Sequence, residues 1–339
     1  HNMNSEQKTN MDITFVGSGI SSSFSILNLL RLRKENAAED KLKMTIIEKY
    51  PEFYKGIPYG KRSGFSVLLI NALDMFLPQP ERGEYIEWLN QNIDSLLEEF
   101  RKDGGHLAEK WILDNIDNIR ANNWDKLYVP RAFFGVYIEE KTKEIIEELS
   151  NKGTLEVNYI TAEVLDIDET NGMYKLYLNT GEEITTLKVA LALGSLPTLK
   201  LFNDQEIVEE ENLLLVNENY SLELDNILGK IKDFASKREG KETNVVVVGA
   251  NASGLELMYK MSDIEEIDSK INNFSFISTQ GVLPDFGIDK EAYDSFKTTN
   301  LFALQERESL TAQEIADAAY KDLDRAEALN IGAATSINH

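Results

Sequence analysis

The stretch Asp12-Ile-Thr-Phe-Val-Gly-Ser-Gly-Ile-Ser-Ser-Ser23 decides the fold of this chain. Its apolar first half predicts a β-strand, which runs directly into Gly17-x-Gly19-x-x-Ser22 and then into a helical pattern. A second apolar stretch, Met44-Thr-Ile-Ile-Glu48, ends in an acid thirty-one residues after Gly17. A strand, a glycine turn, a helix and a second strand that ends in an acid form the layout of a dinucleotide-binding βαβ unit.

Each residue type in this layout has a physical role. Gly17 allows the tight turn, and Gly19 lets the backbone approach a pyrophosphate, which then faces the positive end of the helix. Glu48 is placed to hydrogen-bond ribose hydroxyls, and Ser22 stands in place of the third glycine. The predicted nucleotide contacts are Gly17, Ser18, Gly19, Ile20, Ser21, Ser22, Glu48 and Lys49.

The bulk composition limits the classes of partner. A chain of 339 residues predicts two domains, and a net charge of −23 argues against nucleic acid and anionic membranes because phosphates would be repelled. The absence of cysteine excludes disulfides, thiolate-bound zinc and a CxxC redox pair, and it suits a reducing cytoplasm. We find no signal peptide and no apolar run near the roughly 20 residues that span a bilayer. The polar residues 1–10 resemble a tag remnant and a disordered lead-in. Because the sequence shows no signal peptide, no membrane-spanning run and no cysteine, we expect a soluble, cytoplasmic protein.

The first of the two predicted domains covers residues 11–200. Apolar residues at helical spacing predict helices over 82–121 and about 132–149, which together form a helical insertion over 82–150. Residues 51–80 show little helical periodicity and are predicted to be a loop.

Several strands are predicted to follow the helical insertion, at Leu155–Ile160, Ala162–Asp168, Met173–Leu178, Glu183–Thr186 and Val189–Leu193. We interpret them as a small antiparallel excursion followed by a return strand that ends at Gly194. Residues 201–240 are predicted to be an acidic, helix-rich connection, with Pro197 and Gly240 as boundary markers.

The second half of the chain repeats the opening pattern. Asn244-Val-Val-Val-Val-Gly249-Ala-Asn-Ala-Ser-Gly254 again predicts a strand, a glycine turn and a helix, and it leads to a further strand at Asn273–Ser278. A smaller dinucleotide-binding domain is therefore predicted over 241–290, followed by a helical segment over 291–339. The predicted fold is α/β, with two Rossmann-like dinucleotide-binding domains, an antiparallel excursion in the first, and helical insertions.

These motifs, in this order, resemble a family of flavoproteins with both FAD and NAD(P) sites, related to flavin-containing and N-hydroxylating monooxygenases. The resemblance spans about residues 12 to 290. It adds to the two glycine turns and Glu48 the following stretches: Gly56-Ile-Pro-Tyr-Gly60, Leu68-Leu-Ile-Asn71, Tyr128-Val-Pro-Arg131 with Gly135-Val-Tyr137, Leu191-Ala-Leu-Gly194, and Ser278-Thr-Gln-Gly-Val-Leu-Pro284.

The resemblance implies which nucleotide binds where. The first glycine turn with Glu48 would bind the ADP half of FAD, and Asn71 and Gly194 would lie near the FAD. Arg131 would meet the FAD pyrophosphate by a bidentate contact, or it would form a surface salt bridge in this acidic protein. The second turn would bind NAD(P), with contacts from Gly249, Asn251, Ser253 and Gly254.

The chain departs from the family pattern at its second nucleotide site. Asn251 replaces the second glycine of that fingerprint, and Thr279 and Gln280 replace arginines that would pair with a 2′-phosphate. The missing arginines disfavour NADPH and leave NADH or no second nucleotide as the alternatives, so NADH, NADPH or neither stays open at this site.

The resemblance implies an FAD-dependent oxidoreductase, monooxygenase-like, that takes electrons from a nicotinamide cofactor and acts on a small molecule. No Ser-His-Asp set, metal-ligand spacing or Walker loop is present, so the cofactor would carry the chemistry. One alternative is a non-catalytic nucleotide-binding sensor or assembly module, which Asn251 favours. A third is an NAD-only dehydrogenase, which the antiparallel excursion and the closing Gly194 turn disfavour.

Overall fold

The computed structural model describes residues 10–195, 200, 204–218, 223–283, 289–329 and 331. Within these residues the chain divides into two compact units, the first ending at Ile277 and the second beginning at Ser278. The predicted boundary residue Pro197 and the motif residue Pro284 lie outside the described residues.

The strands of the first unit are β1 (Met11–Val16), β2 (Leu42–Glu48), β3 (Leu155–Thr161), β4 (Val164–Thr170), β5 (Met173–Leu178), β6 (Glu183–Leu191), β7 (Ile207–Glu210), β8 (Leu213–Val216), β9 (Thr243–Val248) and β10 (Ile271–Ile277). Its helices are α1 (Ile20–Glu35), α2 (Gly56–Tyr59), α3 (Leu73–Phe76), α4 (Glu81–Arg120), α5 (Arg131–Asn151), α6 (Leu224–Ser236), α7 (Ala252–Ser262) and α8 (Glu265–Asp268), with a 3-10 turn at Lys61–Ser63. The second unit contains α9 (Lys290–Ser295), α10 (Thr299–Ala303), a 3-10 turn at Leu304–Glu306 and α11 (Ala312–Ala328).

The main sheet has six strands in the order β3-β2-β1-β6-β5-β4. Strands β3, β2, β1 and β6 pair in parallel, whereas β6, β5 and β4 form an antiparallel meander. Helices α1 and α5 pack on one face through a core that includes Phe15, Ile26 and Ile46. The carboxyl ends of β1 and β2 therefore lie side by side, and this edge is where open parallel sheets bind ligands.

Two strand predictions need correction. The strand predicted at Leu155–Ile160 belongs to the parallel part of the sheet, because β3 pairs in parallel with β2 rather than joining the antiparallel excursion. The strands predicted separately at Glu183–Thr186 and Val189–Leu193 form the single strand β6. Its first half pairs with β5 and its second half with β1, so the strand continues through Leu187 and Lys188, which separate the two predicted strands.

The predicted helices of the insertion are present as α4 and α5. Helix α4 contains a kink at Gly105, where φ is +60°. The insertion packs around an aromatic-rich core that also includes Leu69, Leu73 and Leu77, and whose buried members in α4 and α5 include Tyr85, Leu89, Phe133 and Phe134. Short helices α2 and α3 occur within residues 51–80, which the sequence predicts to be a loop.

Residues 201–240 differ from the helix-rich connection that their composition predicts. Strands β7 and β8 form an antiparallel hairpin in which Ile207 pairs with Val216. Among the described residues of this segment, only α6 is a long helix. An acidic composition indicates exposure to water, but it does not decide which backbone conformation an exposed segment adopts.

A second, smaller βαβ unit is formed by β9, α7 and β10, whose strands pair in parallel. One face of this two-stranded sheet packs against α6, α7 and α8 around Leu257, Met261 and Ile267. With a second glycine turn on a second parallel sheet, the predicted α/β fold class is confirmed. Among the described helices, none combines the length and the apolar character needed to cross a bilayer.

Candidate functional site

The first glycine turn requires glycine at its first position. Gly17 has φ +97°, and its N–H donates to the carbonyl oxygen of Ile47 at 2.8 Å. A Cβ at this residue would overlap the carbonyl oxygen of Ala192. Both the positive φ and the close approach of the neighbouring backbone therefore exclude a side chain.

At Gly19 the protein itself leaves room for a side chain. It is the N-cap of α1 with φ −91°, a conformation open to any residue, and a Cβ there would lie at an ordinary 3.6 Å from Cα of Gly56. No side chain caps α1, and its first turn contains no acid. The missing side chain of Gly19 thus leaves room in front of a positive helix end, which suits an anion such as a pyrophosphate.

Glu48 lies directly against this turn. Its Oε1 accepts the backbone N–H of Ser18 at 3.1 Å, and its Oε2 accepts the backbone N–H of Tyr50 at 2.8 Å. The side chain is buried, with 8% exposure. Each carboxylate oxygen keeps further acceptor capacity for a ribose hydroxyl, and the two N–H donors hold the carboxylate in place.

Serine side chains hold the turn and the chain that follows β2. Ser22, in the position of the third glycine, donates its hydroxyl to the carbonyl oxygen of Gly17 at 2.5 Å. Ser18 Oγ accepts the backbone N–H of Tyr54 at 2.8 Å, and Ser23 Oγ donates to the carbonyl oxygen of Tyr54 at 2.7 Å. The segment that begins at Tyr54 is thereby fixed over the start of α1.

Three residues in these contacts are not among the nucleotide contacts that the sequence predicts. Tyr54 acts through its backbone and has φ +77°, Ser23 lies outside the glycine fingerprint, and Gly56 touches Gly19. Only Gly56 belongs to a motif that the sequence analysis singled out. Main-chain contacts of Tyr54 leave no preference for a residue type, so no pattern could predict them.

Charged groups lie against Tyr50, two residues after Glu48. Its hydroxyl donates to Glu223 at 2.8 Å, and the Arg62 guanidinium lies 4.2 Å from the ring centroid. Burial, followed by the hydrogen bond to Glu223, raises the pKa of Tyr50 to about 12. The phenol is therefore a neutral donor at physiological pH.

The remaining residues predicted to contact FAD are less closely grouped. Lys49 is exposed and pairs with Glu163 at 3.2 Å, while Asn71 and Gly194 are exposed. Arg131 begins α5 and forms a bidentate pair with Glu256, with N–O distances of 2.6 and 2.9 Å. The bidentate geometry predicted for Arg131 is present, but its partner in this structure is a carboxylate of α7.

The second glycine turn has the same local geometry as the first. Gly249 has φ +109° and donates its N–H to Ile277 O at 2.7 Å, as Gly17 does to Ile47. Asn251 is the N-cap of α7 with φ −89°, close to the value of Gly19, and its side chain is exposed. The backbone of a nucleotide turn is thus retained, with a side chain where the first turn has none. Ser253, in the first turn of α7, is exposed.

Gly254 performs the packing role of a third fingerprint glycine. A Cβ there would lie 2.7 Å from Gly249 O and 3.2 Å from the side chains of Val247 and Phe276. The absence of a side chain lets α7 approach β9 and β10 closely.

The donor set of the first site fits FAD. The uncapped N-terminus of α1 suits the pyrophosphate, and Glu48 suits a ribose. Because Gly19 has no side chain, the pyrophosphate could approach the backbone closely. Across the described residues, no cluster of three or more His, Asp and Glu side chains could hold a metal ion. Fold and site together define a dinucleotide-binding α/β protein.

A family model for FAD-NAD(P)-binding proteins matches residues 14–196, which is more than half of the chain. The chain belongs to this family. Membership confirms the predicted family of FAD- and NAD(P)-binding proteins and the predicted cofactors, FAD with a nicotinamide nucleotide. The matched residues include the first glycine turn and Glu48 but not the second turn.

The similarity of this chain to individual proteins is distant. An uncharacterised protein of Mycobacterium tuberculosis (strain ATCC 25618 / H37Rv) is 33% identical over 322 residues, which are 93% of this chain and 60% of that protein. The chain therefore spans about 60% of the length of the curated relatives it matches first.

Among solved structures, reduced ornithine hydroxylase from Pseudomonas aeruginosa aligns with 95% of this chain and 71% of its own, at 14% identity and a TM-score of 0.48. L-lysine 6-monooxygenase from Pseudomonas syringae aligns over 96% of this chain and 65% of its own chain, at 11% identity and a TM-score of 0.44. Similarities of this size assign no activity.

Proposed function

We propose that this chain is an FAD-dependent oxidoreductase, monooxygenase-like, reduced by a nicotinamide nucleotide and acting on oxygen or a small organic substrate. The observation that carries the proposal is the first glycine turn, where Glu48 is hydrogen-bonded to the N–H of Ser18 beside an uncapped helix. A second glycine turn in the same chain supports a second nucleotide. The cytoplasmic location predicted from the sequence belongs to the same proposal.

Bound FAD would supply the electron-transfer chemistry between the nicotinamide nucleotide and the acceptor. The residues of the chain would hold it and exclude water. The start of α1 would neutralise the pyrophosphate, and Glu48 would accept hydrogen bonds from a ribose. Tyr59 at the end of α2 packs on Phe76 and Phe134, with ring centroids 6.1 and 5.4 Å apart, and these rings would keep water from the adjoining space. The roles of Asn71, Gly194 and Arg131 toward FAD stay predictions.

The first test is flavin retention by the purified protein. We expect a yellow protein that releases FAD on denaturation, and a colourless protein that takes up no FAD on reconstitution would refute the proposal. Gly19→Ala and Gly19→Val should lose flavin, with valine causing the larger loss, because their side chains enter the space of the pyrophosphate. Since the Cβ of alanine meets only an ordinary contact within the protein, the circular dichroism spectrum of Gly19→Ala should equal that of wild type.

A second candidate function is a nucleotide-binding module without turnover. The exposed Asn251 side chain at the second turn favours it, because this side chain opposes close approach of a pyrophosphate. Anaerobic mixing with NADH and with NADPH separates the two candidates: bleaching of the flavin supports the oxidoreductase, and a flavin that neither nucleotide bleaches supports the module. If Asn251 obstructs binding, Asn251→Gly should lower the nucleotide concentration needed for half-maximal bleaching.

A further inference from the structure

Three polar residues follow one face of α7 and its C-cap. Glu256, Lys260 and Asp263 are spaced four and three residues apart, so they lie along the same side of the helix. Each of them contacts a part of the chain that precedes the second βαβ unit by more than a hundred residues. We call these contacts the α7 seam.

The strongest contact of the seam is the bidentate pair of Glu256 with Arg131. Both side chains are largely buried, with exposures of 13% and 12%. Arg131 is held from its own side as well, since its backbone N–H donates to Val67 O at 2.9 Å. A bidentate fork restricts both distance and orientation, so this pair permits little rotation of α7 about its contact.

The other two contacts extend the seam along α7. Lys260, almost fully buried, donates its ammonium group to the hydroxyl of Ser66. Asp263 Oδ1 accepts the backbone N–H of Leu107 at 3.1 Å and lies 2.9 Å from Nδ1 of His106. His106 lies at the kink of α4, where a Cβ on Gly105 would come within 2.6 Å of Asp263.

An apolar contact completes the seam. Val67, next to Ser66, is buried among Leu257, Met261 and other residues of the α6–α7–α8 core. Apolar packing alone tolerates small rotations, whereas buried hydrogen-bonded charges are costly in any arrangement that separates them. The combination therefore favours one orientation of α7 over its neighbours.

From these contacts we infer that the α7 seam is a positioning device, which fixes the second glycine turn relative to the FAD half of the chain. Asn251, the N-cap of α7, precedes Glu256 by five residues, so a rotation of α7 about the seam would displace the turn. Glu256 and Arg131 act as positioning residues for electron transfer from the nicotinamide nucleotide to the flavin. The inference deepens the proposed function and rests on it for the role in catalysis.

The test combines charge reversal with rescue. Glu256→Arg and Arg131→Glu should each increase amide hydrogen exchange in residues 252–262 by at least about tenfold, because each leaves buried like charges in contact. The double variant Arg131→Glu/Glu256→Arg restores opposite charges and should recover most of the protection. Glu256→Gln, which keeps the size of the side chain, should give an intermediate increase and protects the test against variants that fail to fold. Glu266→Gln, at an exposed pair with Lys232 3.7 Å away, is the matched control and should leave exchange unchanged.

Anaerobic flavin reduction supplies the second measurement. In Glu256→Gln the limiting rate of bleaching should fall by about tenfold, with a smaller change in the nucleotide concentration for half-maximal rate, because the turn is displaced rather than dismantled. Unchanged exchange in Glu256→Arg, or no recovery in the double variant, would overturn the seam. Raised exchange with an unchanged bleaching rate would overturn its role in catalysis. Exchange is measured without nucleotide, so a protein that binds no flavin would refute the proposed function while the exchange data still decide the seam.

Discussion

At the scale of single residues, the two glycines of the first turn serve different needs. The protein's own backbone excludes a side chain at Gly17, whereas at Gly19 only the proposed pyrophosphate would exclude one. The fingerprint combines a folding requirement with a binding requirement, and only the structure separates them. A substitution at Gly17 should therefore lower the free energy of unfolding, whereas a substitution at Gly19 should lower flavin retention.

Gly17→Ala should destabilise the fold itself. The added Cβ would overlap Ala192 O at a residue with φ +97°, and we expect a loss of roughly 3 kcal/mol or more in the free energy of unfolding. Gly172→Ala is the matched control, since its φ is +76° but no atom lies within 4 Å, and it should cost only about 1–2 kcal/mol. Urea denaturation followed by circular dichroism measures both. Equal losses would show that strain in φ, and not overlap with Ala192, decides the cost.

At the scale of secondary structure elements, the contact between α7 and its sheet depends on a missing side chain. A Cβ added to Gly254 would lie 3.2 Å from the side chains of Val247 and Phe276. A Cβ added to Gly229, in the middle of α6, would have no atom within 4 Å. Close packing thus excludes a side chain at Gly254, whereas the space around Gly229 would accept one.

Gly254→Ala and Gly229→Ala should have opposite effects on stability. We expect Gly254→Ala to destabilise by about 1–3 kcal/mol, because α7 must move away from β9 and β10. Gly229→Ala should stabilise by about 0.5–1 kcal/mol, because alanine loses less backbone entropy in a helix. Thermal unfolding of the two variants side by side provides the comparison. A stabilised Gly254→Ala would contradict the close packing of α7.

At the scale of the whole molecule, buried phenols determine the response to alkaline pH. Burial raises the pKa of Tyr137 to about 12 and that of Tyr85 well above the ordinary value of 10.0. The Tyr85 hydroxyl is buried without a hydrogen-bond partner among the described residues. Above pH 10 the unfolded chain loses these protons while the folded chain keeps them, so the unfolded state binds fewer protons and stability falls as pH rises.

The stability of the protein should therefore be constant with respect to these groups below about pH 10 and decline as pH rises toward 12 and beyond. Tyr85→Phe removes one such phenol and should weaken the decline. At neutral pH the same variant should be neutral or stabilising, because it removes an unsatisfied buried hydroxyl. Urea denaturation at a series of pH values measures both effects. Marked destabilisation of Tyr85→Phe at neutral pH would mean that the hydroxyl has a partner.

Local patterns predicted much of the fold and the core of the candidate site. Strands β1, β2 and β5 and helices α4 and α5 occur where the sequence placed them. Such features depend on side-chain periodicity, turn conformation and capping, all of which act over a few residues. The hairpin β7–β8 and the continuous strand β6 escaped prediction because their pairing depends on residues elsewhere in the chain.

By itself, the sequence determined the glycine turns, their helices and the acid that ends β2. The backbone conformation of Gly17 and the spacing to Glu48 are local constraints, and a βαβ unit has little freedom to satisfy them differently. Only the tertiary structure decided the partner of Arg131. Glu256 lies 125 residues further along the chain, and a guanidinium fork suits a pyrophosphate and a carboxylate equally well. Which anion it meets depends on the packing of α5 against α7, and no local pattern encodes that packing.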